Sequence, residues 1–272
     1  QTHDFDTAQP YKGYNKAIAT KLLRTSVVKN ALRTMGTPFL YRPSRILGAM
    51  GTKNNQETTW TDRLDAENIT PYRPGMAGCF RCPVNCRPLN DLHGDPDDKY
   101  GRGDGPEYVT LGKFGPNLGI DRLESVIRLN NICNDLGLDT ASAGSMIAWS
   151  MELFQRGIIT IKDTGGIDLT WGQADVVEQL LFMMARREGF GNVLADSTRA
   201  VERGHFPPEA LQYRMAVKGL MQSDPHDARI LKAFALGLAV STRGMDHLRN
   251  RATLEINARI NDDPAFKAEL YG

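Results

Sequence analysis

Residues 121–139 read DRLESVIRLNNICNDLGLD, and they decide the architecture. Leu123, Val126, Ile127, Cys133 and Leu136 fall on one apolar face of a helix. Asp121 to Glu124 has the form of a capping box, and Gly137 is a helix stop. The same grammar recurs on both sides of this stretch. Ile18, Leu22, Leu23, Val27, Val28 and Leu32 predict an amphipathic helix from Asn15 to Met35, which Gly36-Thr37-Pro38 ends. Further along, the pattern predicts a helix from Ser142 to Arg156 with Gly157 as its stop. The next opens at a Thr170-to-Gln173 capping box and carries Val176, Val177, Leu180, Leu181 and Met184. Others are expected at Val193–Glu202, Ala228–Val240 and Asp246–Ala258, while strand-like alternation is confined to Ile158–Ile161. Between Gly48 and Gly119, Gly, Pro, Asn and Asp are dense, so that segment is expected to be loop-rich. The fold class is therefore mainly α and multihelical.

Composition narrows the function more by exclusion than by assignment. Lys and Arg total 33 against 32 acidic residues, so no basic excess drives binding to nucleic acid or to an anionic membrane. No apolar run reaches the roughly 18 residues needed to span a bilayer, and the N-terminus lacks a signal-peptide layout; a cytoplasmic location follows by default. The chain opens at Gln1 without Met and ends at Gly272, and it reads as a piece of a longer protein.

Three of the four cysteines crowd into Cys79-Phe80-Arg81-Cys82-Pro83-Val84-Asn85-Cys86, poor spacing for a disulfide framework in so long a chain. Thiolates at steps of three and four residues can wrap corners of a [4Fe–4S] cluster, and proline stiffens such a turn. A zinc site completed by His93, or unligated thiols, are the other readings of the spacing. The fourth, Cys133, lies on the apolar helix face and reads as a structural thiol.

Gly78 to Cys86 resembles the cysteine motif of the aldehyde:ferredoxin oxidoreductase family. Gly105-Pro106-Glu107-Tyr108 with Phe114-Gly115-Pro116-Asn117, then Leu136 to Thr140, then Arg243 to Leu248, follow in the family's order. The resemblance implies two packed helical domains, taken here as 1–139 with the cysteine segment and 140–272. In this family they follow a separate N-terminal, pterin-cradling β domain, and a later C-terminal segment supplies the fourth cluster cysteine. It also implies an enzyme that oxidises an aldehyde to a carboxylic acid at a tungsten (or molybdenum) bis-pterin centre. Electrons leave through a [4Fe–4S] cluster on Cys79, Cys82 and Cys86 to ferredoxin or an iron–sulfur subunit. An oligomer is equally open. The alternatives are an electron-transfer or scaffold subunit with no working pterin site, and a relative that reduces an aromatic acyl thioester.

The resemblance also nominates residues. Asn134, Asp135, Gly137, Leu138 and Asp139 match the family's pterin-binding element, although Asn134 stands where aspartate is usual. Gly137 permits a turn and close backbone approach, and a carboxylate accepts hydrogen bonds from the amino edge of a pterin. A helix stop followed by a helix cap would explain Gly137 and Asp139 equally well, and the two roles are compatible. Glu107 and His247 match the family's active-site glutamate and histidine, with Asp246 expected to orient the ring. Relatives often carry a second glutamate where this chain has Val109-Thr110. His226 is a candidate pocket residue.

Overall fold

The computed structural model describes residues 9–249. Helices dominate, and the five strands run two to five residues each among the described residues. Helix α1 (Gln9–Arg24) starts earlier than the periodicity predicts and breaks at Thr25, whose hydroxyl donates back to the Leu22 carbonyl at 2.8 Å. Such back-bonding competes with the helical ladder. The chain then passes through a π turn (Val28–Leu32) into the short α2 (Arg33–Met35) and stops at Gly36. The predicted apolar stripe is only partly covered: Ile18, Leu22 and Val27 are exposed, while Val28 is buried.

Gly36 is required by its backbone. Its φ of 72° and ψ of −168° are open to glycine almost alone, and an added Cβ would lie 2.6 Å from the Cys86 carbonyl oxygen. Beyond it come a 3₁₀ turn (Thr37–Leu40) and α3 (Tyr41–Ile46), and then the expected loop-rich stretch. Within that stretch β1 (Met76–Ala77), β2 (Arg87–Asp91) and β3 (Arg102–Asp104) form an antiparallel sheet in that order. The cysteine run is the loop between β1 and β2.

The core is helical. After α4 (Tyr108–Phe114) come α5 (Leu123–Leu136), α6 (Thr140–Gln155), α7 (Ala174–Arg186), α8 (Phe190–Ala195) and α9 (Lys232–Val240). Helix α6 is buried at every residue from Ala143 to Leu153, as expected of a helix apolar on all sides. It packs on α4, while α7 packs on α5 and α8. One cluster of buried apolar side chains runs from Tyr41 to Met221 and includes Cys133.

Both capping boxes fail, for a tertiary reason. At α5 the N-cap is Arg122 without a side-chain bond, because Asp121 pairs with Arg63 and Glu124 accepts from the Tyr72 hydroxyl. At α7 the Thr170 hydroxyl donates to Asp168 instead, and Gln173 caps without its side chain. Ile158–Ile161 is not a strand: the Ile158 and Ile159 amides close the end of α6 on the Leu153 carbonyl. The helix expected at Val193–Glu202 is α8 followed by a 3₁₀ turn at Ser197–Arg199, and that at Ala228–Val240 starts at Lys232. Of the helix expected at Asp246–Ala258, residues 246–249 form no helix and the rest lies outside the described residues. No described helix is long and apolar enough to cross a membrane.

Candidate active site

A cavity of about 1190 Å³ opens between β3, the start of α4, the end of α5, the start of α6 and the 243–248 segment. It exceeds the roughly 300 to 1,000 Å³ of ordinary small-ligand pockets, room for a bulky cofactor beside a substrate. Glu107, Asn134, Asp135, Asp139 and His247 all line it; Gly137 and Leu138 do not. Residues far apart in the chain thus share one wall.

Glu107 immediately precedes α4 in an extended conformation and does not cap it. The Thr37 hydroxyl does that instead, accepting from the Tyr108 amide at 2.8 Å while donating to the Glu107 carboxylate. The glutamate is thereby fixed on the cavity wall. Burial pushes the Cys86 thiol above its ordinary range, with Glu107, Cys82 and Cys79 adding to the effect. Cavity and cysteine loop are therefore within electrostatic reach of each other.

In that loop Arg81 and Asn85 adopt positive φ, and the Cys82 amide donates to the Cys79 carbonyl at 2.9 Å. Cys79 is exposed, and Cys82 and Cys86 are half-buried. Among the described residues no three His, Cys, Asp or Glu side chains converge on a single-ion site. His93 does not join the thiols: its ring meets the Pro71 carbonyl at 2.9 Å and its amide the Asp91 carboxylate. Three thiols on one short loop remain a suitable donor set for a cluster, which needs several separate sulfur corners rather than one cage. Cys133 is buried in the core, which pushes its thiol up to about 12, as expected of a packed structural thiol.

The 134–139 element does two jobs at once. Gly137 ends α5 in the left-handed region with φ 67°, and Asp139 caps α6, one carboxylate oxygen accepting from the Ser142 amide at 2.7 Å. The Asn134 amide donates to the Asp104 carbonyl at 3.0 Å, and Asp135 pairs with Lys99 at 2.7 Å. Around the same cavity the Nε of Arg87 and the Oγ of Ser223 are buried without an aligned hydrogen bond. Orphaned polar atoms on a cavity wall suit a ligand dense in donors and acceptors, as a pterin is.

His247 is not oriented by Asp246. That carboxylate pairs with Arg243 at 2.8 Å and accepts from the Leu248 amide at 2.6 Å, drawn away by its own neighbours. The acid beside the ring is Asp224, fully buried, with its Oδ2 3.2 Å from Nδ1 of His247. Asp224 also faces His226 Nε2 at 3.4 Å, and His226 Nδ1 lies 2.9 Å from the Tyr108 hydroxyl. Lys113, fully buried on α4, is the other charge in reach of Asp224, and burial pushes its ammonium down to about 7. His226 stands behind the cavity wall rather than on it. Asp224, Lys113 and Tyr108 were not nominated from sequence. Lys113 between Gly112 and Phe114 was the available hint, a charge inside an apolar stretch.

Residues 14–270 match a family model described as aldehyde ferredoxin oxidoreductase, domains 2 & 3. The tungsten-containing aldehyde ferredoxin oxidoreductase of Pyrococcus furiosus is 35% identical over 238 residues, which is 85% of this chain and 37% of that protein. The enzyme of the same name from Thermococcus kodakarensis is 33% identical over 234 residues, again 85% and 37%. A Pyrococcus furiosus aliphatic sulfonate oxidoreductase, WOR-like subunit, is 32% identical over 178 residues, 64% of this chain and 28% of that one. Among solved structures, the active site complex BamBC of benzoyl coenzyme A reductase, in complex with 1,5 dienoyl-CoA, superposes with a TM-score of 0.59. It shares 20% identity, covering 79% of this chain and 32% of that one, a likeness of fold. The chain spans 37% of the length of the aldehyde ferredoxin oxidoreductases it matches. With a family model covering nearly all of it and identities above 30% across most of its length, the chain belongs to the aldehyde ferredoxin oxidoreductase family.

Proposed function

We propose that this chain is the helical part of a tungsten (or molybdenum) bis-pterin enzyme that oxidises an aldehyde to a carboxylic acid. The single observation that carries the reading is that Glu107 and His247 face one oversized cavity together with the 134–139 element. Aldehyde and water give the acid, two electrons and two protons. The metal–pterin centre, when bound, accepts the electron pair. Asp139, Asn134 and Asp135 would hold the pterin's polar edges, with Gly137 and Leu138 shaping the turn between them. Cys79, Cys82 and Cys86 would hold a [4Fe–4S] cluster that releases electrons singly to ferredoxin or an iron–sulfur subunit. Cys86, within electrostatic reach of Glu107, supports a path from cavity to cluster.

The protein's own work is orientation and proton handling. Glu107, held by Thr37, orients the aldehyde carbonyl or the attacking water. His247, on another segment of the wall, accepts the proton that water loses as the new carbon–oxygen bond forms. The test is to prepare the full-length enzyme and its Glu107→Gln and His247→Phe variants with equal tungsten and iron content. Turnover of an aldehyde panel with a ferredoxin or dye acceptor is expected to fall about 10²-fold or more in each variant. A variant within a few-fold of the parent removes that residue from the chemistry. A parent that carries tungsten but turns over only an aromatic acyl thioester supports the reductase alternative, and one without tungsten the scaffold alternative.

A further inference from the structure

We infer that Asp224 is the positioning residue of His247, holding Nδ1 inward so that Nε2 is the nitrogen presented to the cavity; this rests on the role proposed above for His247. Nδ1 is buried and 3.2 Å from Asp224 Oδ2, whereas His247 lines the cavity. The pair is close but not yet aligned, the usual state of such contacts before a ligand tightens the site.

The carboxylate is well anchored for the task. Its segment is clamped on both flanks: the Ser223 amide donates to the Met245 carbonyl at 3.2 Å, and the Gly51 amide to the Pro225 carbonyl at 2.8 Å. Helix α4 presses on the same segment so closely that a Cβ at Gly112 would lie 2.3 Å from Pro225 Cβ. The His226 amide donates to Asp224 Oδ1 at 3.2 Å, and the His226 ring is itself fixed by Tyr108 and, at 3.3 Å, by Ser44. Both carboxylate oxygens thus face imidazoles, with Lys113 as the further cation. An anion buried beside one imidazole nitrogen keeps the proton there and stabilises the imidazolium formed when the other nitrogen takes a second one. In the reaction proposed, the water O–H bond breaks and its proton goes to Nε2. No electrons pass through this pair.

The experiment uses the full-length enzyme with histidine rings labelled with nitrogen-15, the His247 signals being identified by their loss in His247→Phe. The neutral ring is expected to be protonated on Nδ1, and Asp224→Asn is expected to shift protonation toward Nε2. Asp224→Asn should lower kcat about 10²-fold or more while KM stays within a few-fold. The double variant Asp224→Asn/His247→Phe should be no slower than His247→Phe alone. A wild-type His247 protonated on Nε2, or losses that multiply in the double variant, overturns the inference. If His247→Phe leaves turnover intact, the proposed catalytic role falls, while the nitrogen signals still decide the pairing. Should Asp224→Asn fail to fold, the wild-type signal alone decides.

Discussion

At the scale of single residues, the site is assembled by contacts that cross the chain. Glu107 takes its hydrogen bond from Thr37, and Gly36 just before it lets Cys86 pass at backbone contact. Gly36→Ala is therefore expected to cost about 1–3 kcal/mol, the range for forcing a side chain into a backbone region of this kind. It is also expected to displace the loop at Cys86 and lower iron bound per chain. Denaturant unfolding and iron analysis of the full-length protein check both; full iron content would mean that the cysteine loop absorbs the shift. That Glu107 and His247 belong to one cavity was legible only through the family resemblance, which picks out the short motif around each. Asp224 was not, because its partners His247 and Lys113 come from other segments and no periodicity connects them. The adjacent Asp246 was the wrong choice for the same reason: sequence proximity does not show that Arg243 has already claimed it.

At the scale of elements, the helix stops at Gly36, Gly137 and Gly157 were well marked. On the apolar face read for α5, Leu123, Val126, Ile127 and Cys133 are buried and Leu136 partly so, and Gly137 ends that helix in the left-handed conformation that favours glycine. Helix starts were less legible, since Asp121, Glu124 and Thr170 are side chains that any polar neighbour can recruit. Asp139 is the start where cap and cofactor roles meet, and substitution separates them. Asp139→Ala is expected to lose about 0.5–2 kcal/mol of stability with the cap. Asp139→Ser keeps a capping oxygen but no carboxylate, so it should restore most of that stability while tungsten and pterin content stay low. Metal analysis beside thermal melts of the full-length protein reads both; tungsten restored with the serine would reduce Asp139 to a cap.

At the scale of the molecule, the α7–α8 half is tied together by one buried carboxylate. Asp196, just after α8, meets Arg187 at 3.1 Å, Arg203 at 2.5 Å and His205 at 3.0 Å, so a single side chain fastens the end of α7 to the turns that follow α8. Burial opposes its ionisation, but Arg203, Arg187 and His205 together outweigh that and hold the carboxyl at about 2, against an ordinary 3.8. The sign of the pH dependence follows. A carboxylate whose folded value lies below its unfolded one adds stability that is complete above the unfolded value, near pH 4. It is lost as pH falls from there toward about 2, because the unfolded chain takes up the proton first. Asp196→Asn is thus expected to melt below the parent at neutral pH, since two arginines lose their shared anion. The difference between their melting temperatures should narrow as pH drops below about 4. Melting curves of both full-length proteins across that range check it; a difference that stays constant with pH would mean that Asp196 stabilises by shape and hydrogen bonding rather than by charge.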